Sequence, residues 1–121
     1  MLLVDTSVWI NHLRDGNKIL EELLQNGKVM THAHIIGELA CGNIKNRKEI
    51  LSLIRALPLG PLIEFSEFLF FIEEHKLNGK GMGFVDIHLL TSAKLAQVKL
   101  WTTDKRLNSA ATALGISYEK R

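Results

Sequence analysis

The chain has a single cysteine, Cys41, so no intramolecular disulfide is possible. That fits a reducing compartment such as the cytoplasm. No Cys/His cluster has zinc spacing. No run of about 18 or more apolar residues occurs, which argues against a membrane-spanning helix. The first residues lack a basic region followed by an apolar stretch and a small-residue cleavage site, so no secretory signal is read there. Linkers, repeats and low-complexity segments are also missing. An excess of one sign of charge is missing too. The formal net charge is +2, which permits a nucleic-acid partner without demanding one.

What is present suits one domain over residues 1–121. The apolar fraction of 46% is enough for a single packed core at this length. Leu2-Leu3-Val4 is apolar on successive positions, as a strand buried on both faces requires. A helix follows and ends at Gly16. Ile19, Leu20, Leu23 and Leu24 mark a second helix. Residues 28–31 form a candidate strand, and 32–41 a helix stopped by Gly42-Asn43. Ile50, Leu51, Ile54 and Leu57 predict a helix ending before Pro58. A short strand is expected at Leu62-Ile63. Ser66 is the expected cap of a helix carrying Phe68, Leu69, Phe71 and Ile72. Three glycines in residues 79–83 predict a loop. Helix 84–97, strand 99–102, helix 104–114 and a final strand at 116–118 complete the chain. Strands alternate with helices, which implies βα units and a parallel sheet covered on both faces.

Four acids stand at informative places. Asp5 ends the first strand, on the edge where open parallel sheets bind ligands. A helix cap explains it as well as a functional acid does, and both readings stand at this point. Asp104 follows strand 99–102 and, if the strands are parallel, shares that edge. Locally a cap is the simpler reading for it. At about 100° per residue, Asp86 falls on the face of Leu89, Leu90, Ala93 and Ala96. A first-turn acid suits the helix dipole, which explains its place but not its facing. Glu38 lies at the edge of the Ile35, Leu39, Gly42 stripe, an ordinary place for a glutamate. If all four meet, carboxylates about 4 Å apart repel by about 4 kcal/mol at an effective dielectric near 20. A divalent cation with oxygen ligands relieves that repulsion, and magnesium or manganese suits carboxylates with positions open to phosphate oxygens. The chemistry that follows is phosphodiester hydrolysis.

The other candidates carry less. The histidines form no evident ligand set. His34 precedes Glu38 by one turn, and polar surface is its default. No Ser-His-Asp arrangement is legible, so Ser7 and Thr6 are read as partners of a carboxylate or as caps. Lys45, Arg47 and Lys48 are a solvated face by default and a phosphate-contacting patch in the alternative. The 79–83 loop has no P-loop pattern.

The sequence resembles the PIN-domain ribonucleases, in particular VapC-type toxins of toxin–antitoxin pairs. The matching stretches are Leu3-Val4-Asp5-Thr6-Ser7, Ile36-Gly37-Glu38-Leu39, Gly83-Phe84-Val85-Asp86-Ile87-His88-Leu89-Leu90 and Trp101-Thr102-Thr103-Asp104-Lys105-Arg106-Leu107. Four such stretches in order cover essentially the whole chain. The resemblance implies a three-layer α/β/α fold with a parallel sheet of four or five strands. It implies an endoribonuclease dependent on Mg2+ or Mn2+, with Asp5, Glu38, Asp86 and Asp104 as its acids. Asp5 and Asp86 are then the direct metal ligands, with Glu38 and Asp104 acting directly or through water. Ser7 and Thr102 fit supporting positions. An RNA substrate, a cognate antitoxin and a homodimer are implied as well. A second stripe on helix 84–97 (Phe84, His88, Thr91 and Leu95) and the apolar segment 68–72 also predict a symmetric dimer. Rival readings are a non-catalytic RNA- or protein-binding module, a receiver-like phosphoacceptor domain and a haloacid-dehalogenase-like phosphatase. The receiver has only Glu64 in the expected region, and the phosphatase wants an acid where Ser7 stands.

Overall fold

The computed structural model describes residues 1–119. The expected domain end at residue 121 lies outside them. The described residues form three strands, β1 (Leu2–Val4), β2 (Val29–Met30) and β3 (Lys99–Trp101). Their helices are α1 (Thr6–Asp15), α2 (Lys18–Gln25), α3 (Ala33–Cys41), α4 (Arg47–Arg55), α5 (Phe65–His75), α6 (Phe84–Ala96) and α7 (Lys105–Ala113).

The sheet is parallel with order β2-β1-β3, so the first strand is the central one. Leu2, Leu3 and Val4 are all buried, although successive side chains point to opposite faces. Both faces of β1 are therefore covered, which makes the three-layer arrangement. Fully burying each such side chain contributes on the order of 2 kcal/mol. α6 packs on β3 and α7, α5 packs on α6, and α3 packs on α1 and α4. Leu89, Leu90 and Ala93 of α6 are fully enclosed in this core.

The outer strands shrink to single parallel bridges, Thr31 to Leu59 and Leu100 to Ser117. Five chain segments thus lie side by side, three of them as strands. The strand expected at Leu62-Ile63 does not form, and the pairing falls on Leu59 instead. Gly60 donates its N–H to Thr31 O, but Pro61 has no N–H with which to extend a ladder. α5 starts at Phe65 after Glu64, ahead of the expected Ser66 cap. That start puts the Phe65 ring 6.2 Å from Phe68 in a stacked pair. α6 lacks the free second stripe expected of it. His88 and Thr91 are buried, and only Phe84 and Leu95 at the ends are exposed. The Phe68 ring of α5 covers the middle, stacked 4.1 Å from His88.

Candidate active site

The β1–β3 ladder runs one residue past β1, where the Asp5 N–H donates to Trp101 O at 2.9 Å. That bond sets Asp5 beside Thr102. Asp5 stands at the N-cap position of α1, yet its side chain caps nothing. Its carboxylate is buried, and Oδ2 accepts hydrogen bonds from Ser7 Oγ and Thr102 Oγ1, both at 2.8 Å. Those hydroxyls are themselves oriented. Thr103 N–H donates to Ser7 Oγ at 3.1 Å, and Asp104 N–H donates to Thr102 Oγ1 at 3.0 Å. Two backbone donors thus turn two hydroxyl protons toward one carboxylate oxygen.

The other acids are anchored in the same one-sided way. Asp104 does cap α7, with Oδ1 accepting from Leu107 N–H at 3.0 Å. Asp86 is half-buried in the first turn of α6, and its Oδ2 accepts from Gly83 N–H at 3.2 Å. Glu38 is exposed on α3, and its Oε1 accepts from Thr6 Oγ1 at 2.6 Å. Among the described residues, the second oxygen of each acid has no hydrogen bond, and none of the four has an ion-pair partner.

Electrostatics brings three of the four together. Burial pushes the Asp86 carboxyl above its ordinary range, the Gly83 N–H pulls it back, and Asp5 and Asp104 push it up further. Glu38 is not among those influences. It reaches the site through Thr6, the neighbour of Asp5. Among the described residues no three His, Cys, Asp or Glu side chains converge as a ready ligand set. The acids are near enough to feel one another but not arranged as an all-protein cage. Oxygen donors of this kind could hold a hard divalent cation that keeps most of its waters, and Asp5 and Asp86 are the more buried of the four.

The PIN domain family model matches residues 2–113. The chain belongs to the PIN domain family. It is 42% identical over 118 residues to Ribonuclease VapC32 of Mycobacterium tuberculosis, in strains CDC 1551 / Oshkosh and H37Rv. The match covers 97% of this chain and 95% of that one. FitAcB from Neisseria gonorrhoeae superposes with a TM-score of 0.63 at 20% identity, covering 93% of this chain and 94% of that chain. PAE2754 from Pyrobaculum aerophilum gives 0.62 at 15% identity, covering 94% and 88%. At those identities the two structures speak to the PIN fold alone.

This PIN domain also holds a cluster that sequence reasoning missed. His34 is not polar surface. Its ring centroid lies 4.9 Å from His32 and 5.0 Å from His88, and Phe68 and Phe84 close the group. His32 is fully buried and its pKa is lowered to about 4, first by burial and then by His34. His88 is lowered for the same two reasons, in the same order. Both of its ring nitrogens are buried and without hydrogen bonds among the described residues. Residues 32 and 34 alternate across the start of a helix, and 88 sits on an apolar face. Only tertiary packing joins them.

The loop before α6 carries a second missed feature. Gly81 has φ +80°, and a Cβ there would meet the Arg106 guanidinium at 2.8 Å. Arg106 lies across this loop with Nη1 3.4 Å from Gly81 O, and so tethers α7 to the segment leading to Asp86. Lys45 and Lys48 are exposed, and Arg47 donates to Ala40 O at the end of α3. A cavity of about 450 Å³ lined by Lys99, Thr112 and Ser117 lies at the other end of β3, away from the acids.

Proposed function

We propose that this PIN domain is a metal-dependent endoribonuclease and acts as the toxin of a type II toxin–antitoxin pair. One observation carries the reading. Asp5, Asp86 and Asp104 influence one another, Glu38 is tied to Thr6 beside Asp5, and each of the four is fixed through one oxygen while the other has no hydrogen-bond or cation partner among the described residues. A structural role consumes acceptors. These acids are held in place and keep one acceptor each. Near-full-length identity of 42% to a protein named as a ribonuclease supports RNA as the substrate class.

Asp5 and Asp86 would hold Mg2+ or Mn2+, with Glu38 and Asp104 directly or through water. When bound, such an ion supplies positive charge beside the phosphoryl oxygens and makes a water more acidic. The protein contributes position. Ser7 and Thr102 keep the Asp5 carboxylate from rotating, and the Gly83 N–H does the same for Asp86. Glu38 and Asp104, both exposed, would accept a proton from the attacking water.

The whole 121-residue chain is one functional unit in this reading. A cytoplasmic setting agrees with the free, exposed Cys41. No helix among the described residues is long and apolar enough to cross a membrane. A homodimer would cover the exposed Phe65, Leu69 and Phe70 of α5 and Phe84 and Leu95 of α6. A cognate antitoxin would block the acid cluster. The test is cleavage of structured RNA by purified protein in magnesium or manganese. Cleavage that stops with EDTA and returns with metal is the expected result, and undiminished cleavage in excess EDTA rejects the metal mechanism.

A further inference from the structure

Beside the acids lies a groove of about 420 Å³ between α1 and the connection from α3 to α4. Its apolar lining is Ile10, Leu13, Leu39 and Ile44. Ile10 is 49% exposed, so the core does not account for an isoleucine there. Arg14 and Lys45 line the same groove, as does Glu38, which Thr6 ties to the neighbourhood of Asp5. Asn43 completes it, exposed and with no side-chain hydrogen bond among the described residues.

We propose that this groove seats a nucleotide of the RNA strand next to the bond that is cut, an inference that rests on the ribonuclease reading above. The volume lies in the range that takes a small organic ring system. Aliphatic side chains accept the flat face of any base without reading its edge. Asn43 carries a donor and an acceptor on one amide, the pair needed to read a base edge. Arg14 and Lys45 offer positive charge to the phosphates on either side. Arg14 is held by two exposed contacts, an ion pair to Asp15 and a hydrogen bond to Asn11 Oδ1, both at 3.0 Å and of the kind that water and salt loosen. Lys48, exposed just beyond Lys45, carries the same sign onward. Glu38 makes the groove continuous with the cutting site, so a strand whose phosphate reaches the acids has its neighbouring base over Ile10 and Ile44. Arg14 and Lys45 against the single carboxylate of Glu38, with Lys48 beyond, favour a polyanion as occupant.

The experiment is fluorescence anisotropy of labelled single-stranded RNA octamers in magnesium, the probe shown intact on a gel. It is paired with sequencing of cleavage products from a randomised RNA. Ile10→Glu puts a carboxylate into the groove at an exposed position and should weaken binding about tenfold or more. Lys45→Ala should weaken all sequences alike and lower the salt slope by about one. Asn43→Ala should bind nearly as wild type but lose about fivefold or more of base preference at one position beside the cut. Thermal melts confirm that each variant is folded. The proposal is overturned if wild type binds no octamer, or if all three variants bind within about twofold of wild type with unchanged base preference. It is also overturned if Ile10→Glu loses only the antitoxin, which makes the groove a protein seat. Variants that weaken binding in a protein without metal-stimulated cleavage support the groove and reject the ribonuclease reading. Intact cleavage with unchanged binding rejects the groove alone.

Discussion

Acid should destabilise this protein through His32. His32 is the N-cap of α3, and its Nδ1 accepts from His34 N–H at 3.0 Å. The ring proton therefore belongs on Nε2, which lies 3.2 Å from Pro61 O and 3.0 Å from Ser92 Oγ. A second proton must go to Nδ1, where it confronts the His34 N–H and ends the cap. Burial and His34 lower the pKa from 6.5 to about 4. The unfolded chain thus takes up a proton below pH 6.5 that the folded chain refuses until about pH 4. The stabilising effect is complete above pH 6.5 and is lost as pH falls through that window. Linkage puts the loss from His32 at about 2 kcal/mol between pH 7.5 and pH 5. His88, lowered likewise, adds to it, while Asp86, raised by burial, opposes it. The assay is urea unfolding from pH 8 to 4, with the His32 ring followed by NMR. His32→Asn keeps a capping acceptor and removes the titration, so its stability should vary less between pH 7.5 and pH 5. A His32 ring that titrates near 6.5, or a wild type equally stable at both pH values, refutes the reasoning.

Ser7→Ala removes one of two donors to Asp5 and leaves the exposed Thr103 N–H to water. It should cost about 1–2 kcal/mol in a melt and, by freeing the carboxylate, about tenfold or more in RNA cleavage. A variant with wild-type cleavage removes Ser7 from the site. For assembly, light scattering at micromolar concentration, free of antitoxin, should give a dimer mass. Phe70→Glu, at an exposed position of α5, should shift it to monomer while the fold melts as before. A monomeric wild type contradicts the dimer.

Where Asp5 and Asp86 lie was legible because it is local. An apolar triplet stopped by an acid predicted β1 and Asp5, and the acid on the apolar face of α6 predicted the half-buried Asp86. The choice between cap and functional acid was not legible. Asp104 turned out to cap with one oxygen and keep the other, while Asp5 caps nothing. The donors that decide this, Ser7 and Thr102, lie on different elements. Thr6 was read as a carboxylate partner, but that its acid is Glu38, 32 residues away, depends on how α1 and α3 pack. The edge strands were overestimated because apolar pairs such as Leu62-Ile63 read alike in a strand or a loop. Pro61 decided between them. The His32–His34–His88 cluster was invisible because it is made by α3 and α6 meeting across the core.

The account stands or falls on charge at Asp86. Asp86→Asn keeps an acceptor for the Gly83 N–H and removes the negative charge that burial, Asp5 and Asp104 all disfavour. Melting curves with EDTA and with magnesium or manganese, and a cleavage assay on the same preparation, form one measurement. In EDTA the variant should be at least as stable as wild type. Metal at a hundred times its dissociation constant should stabilise wild type by about 2.7 kcal/mol and the variant far less. RNA cleavage should be lost. An Asp86→Asn protein that is folded, still stabilised by metal and still cleaving RNA would contradict the assignment of these acids as the metal site.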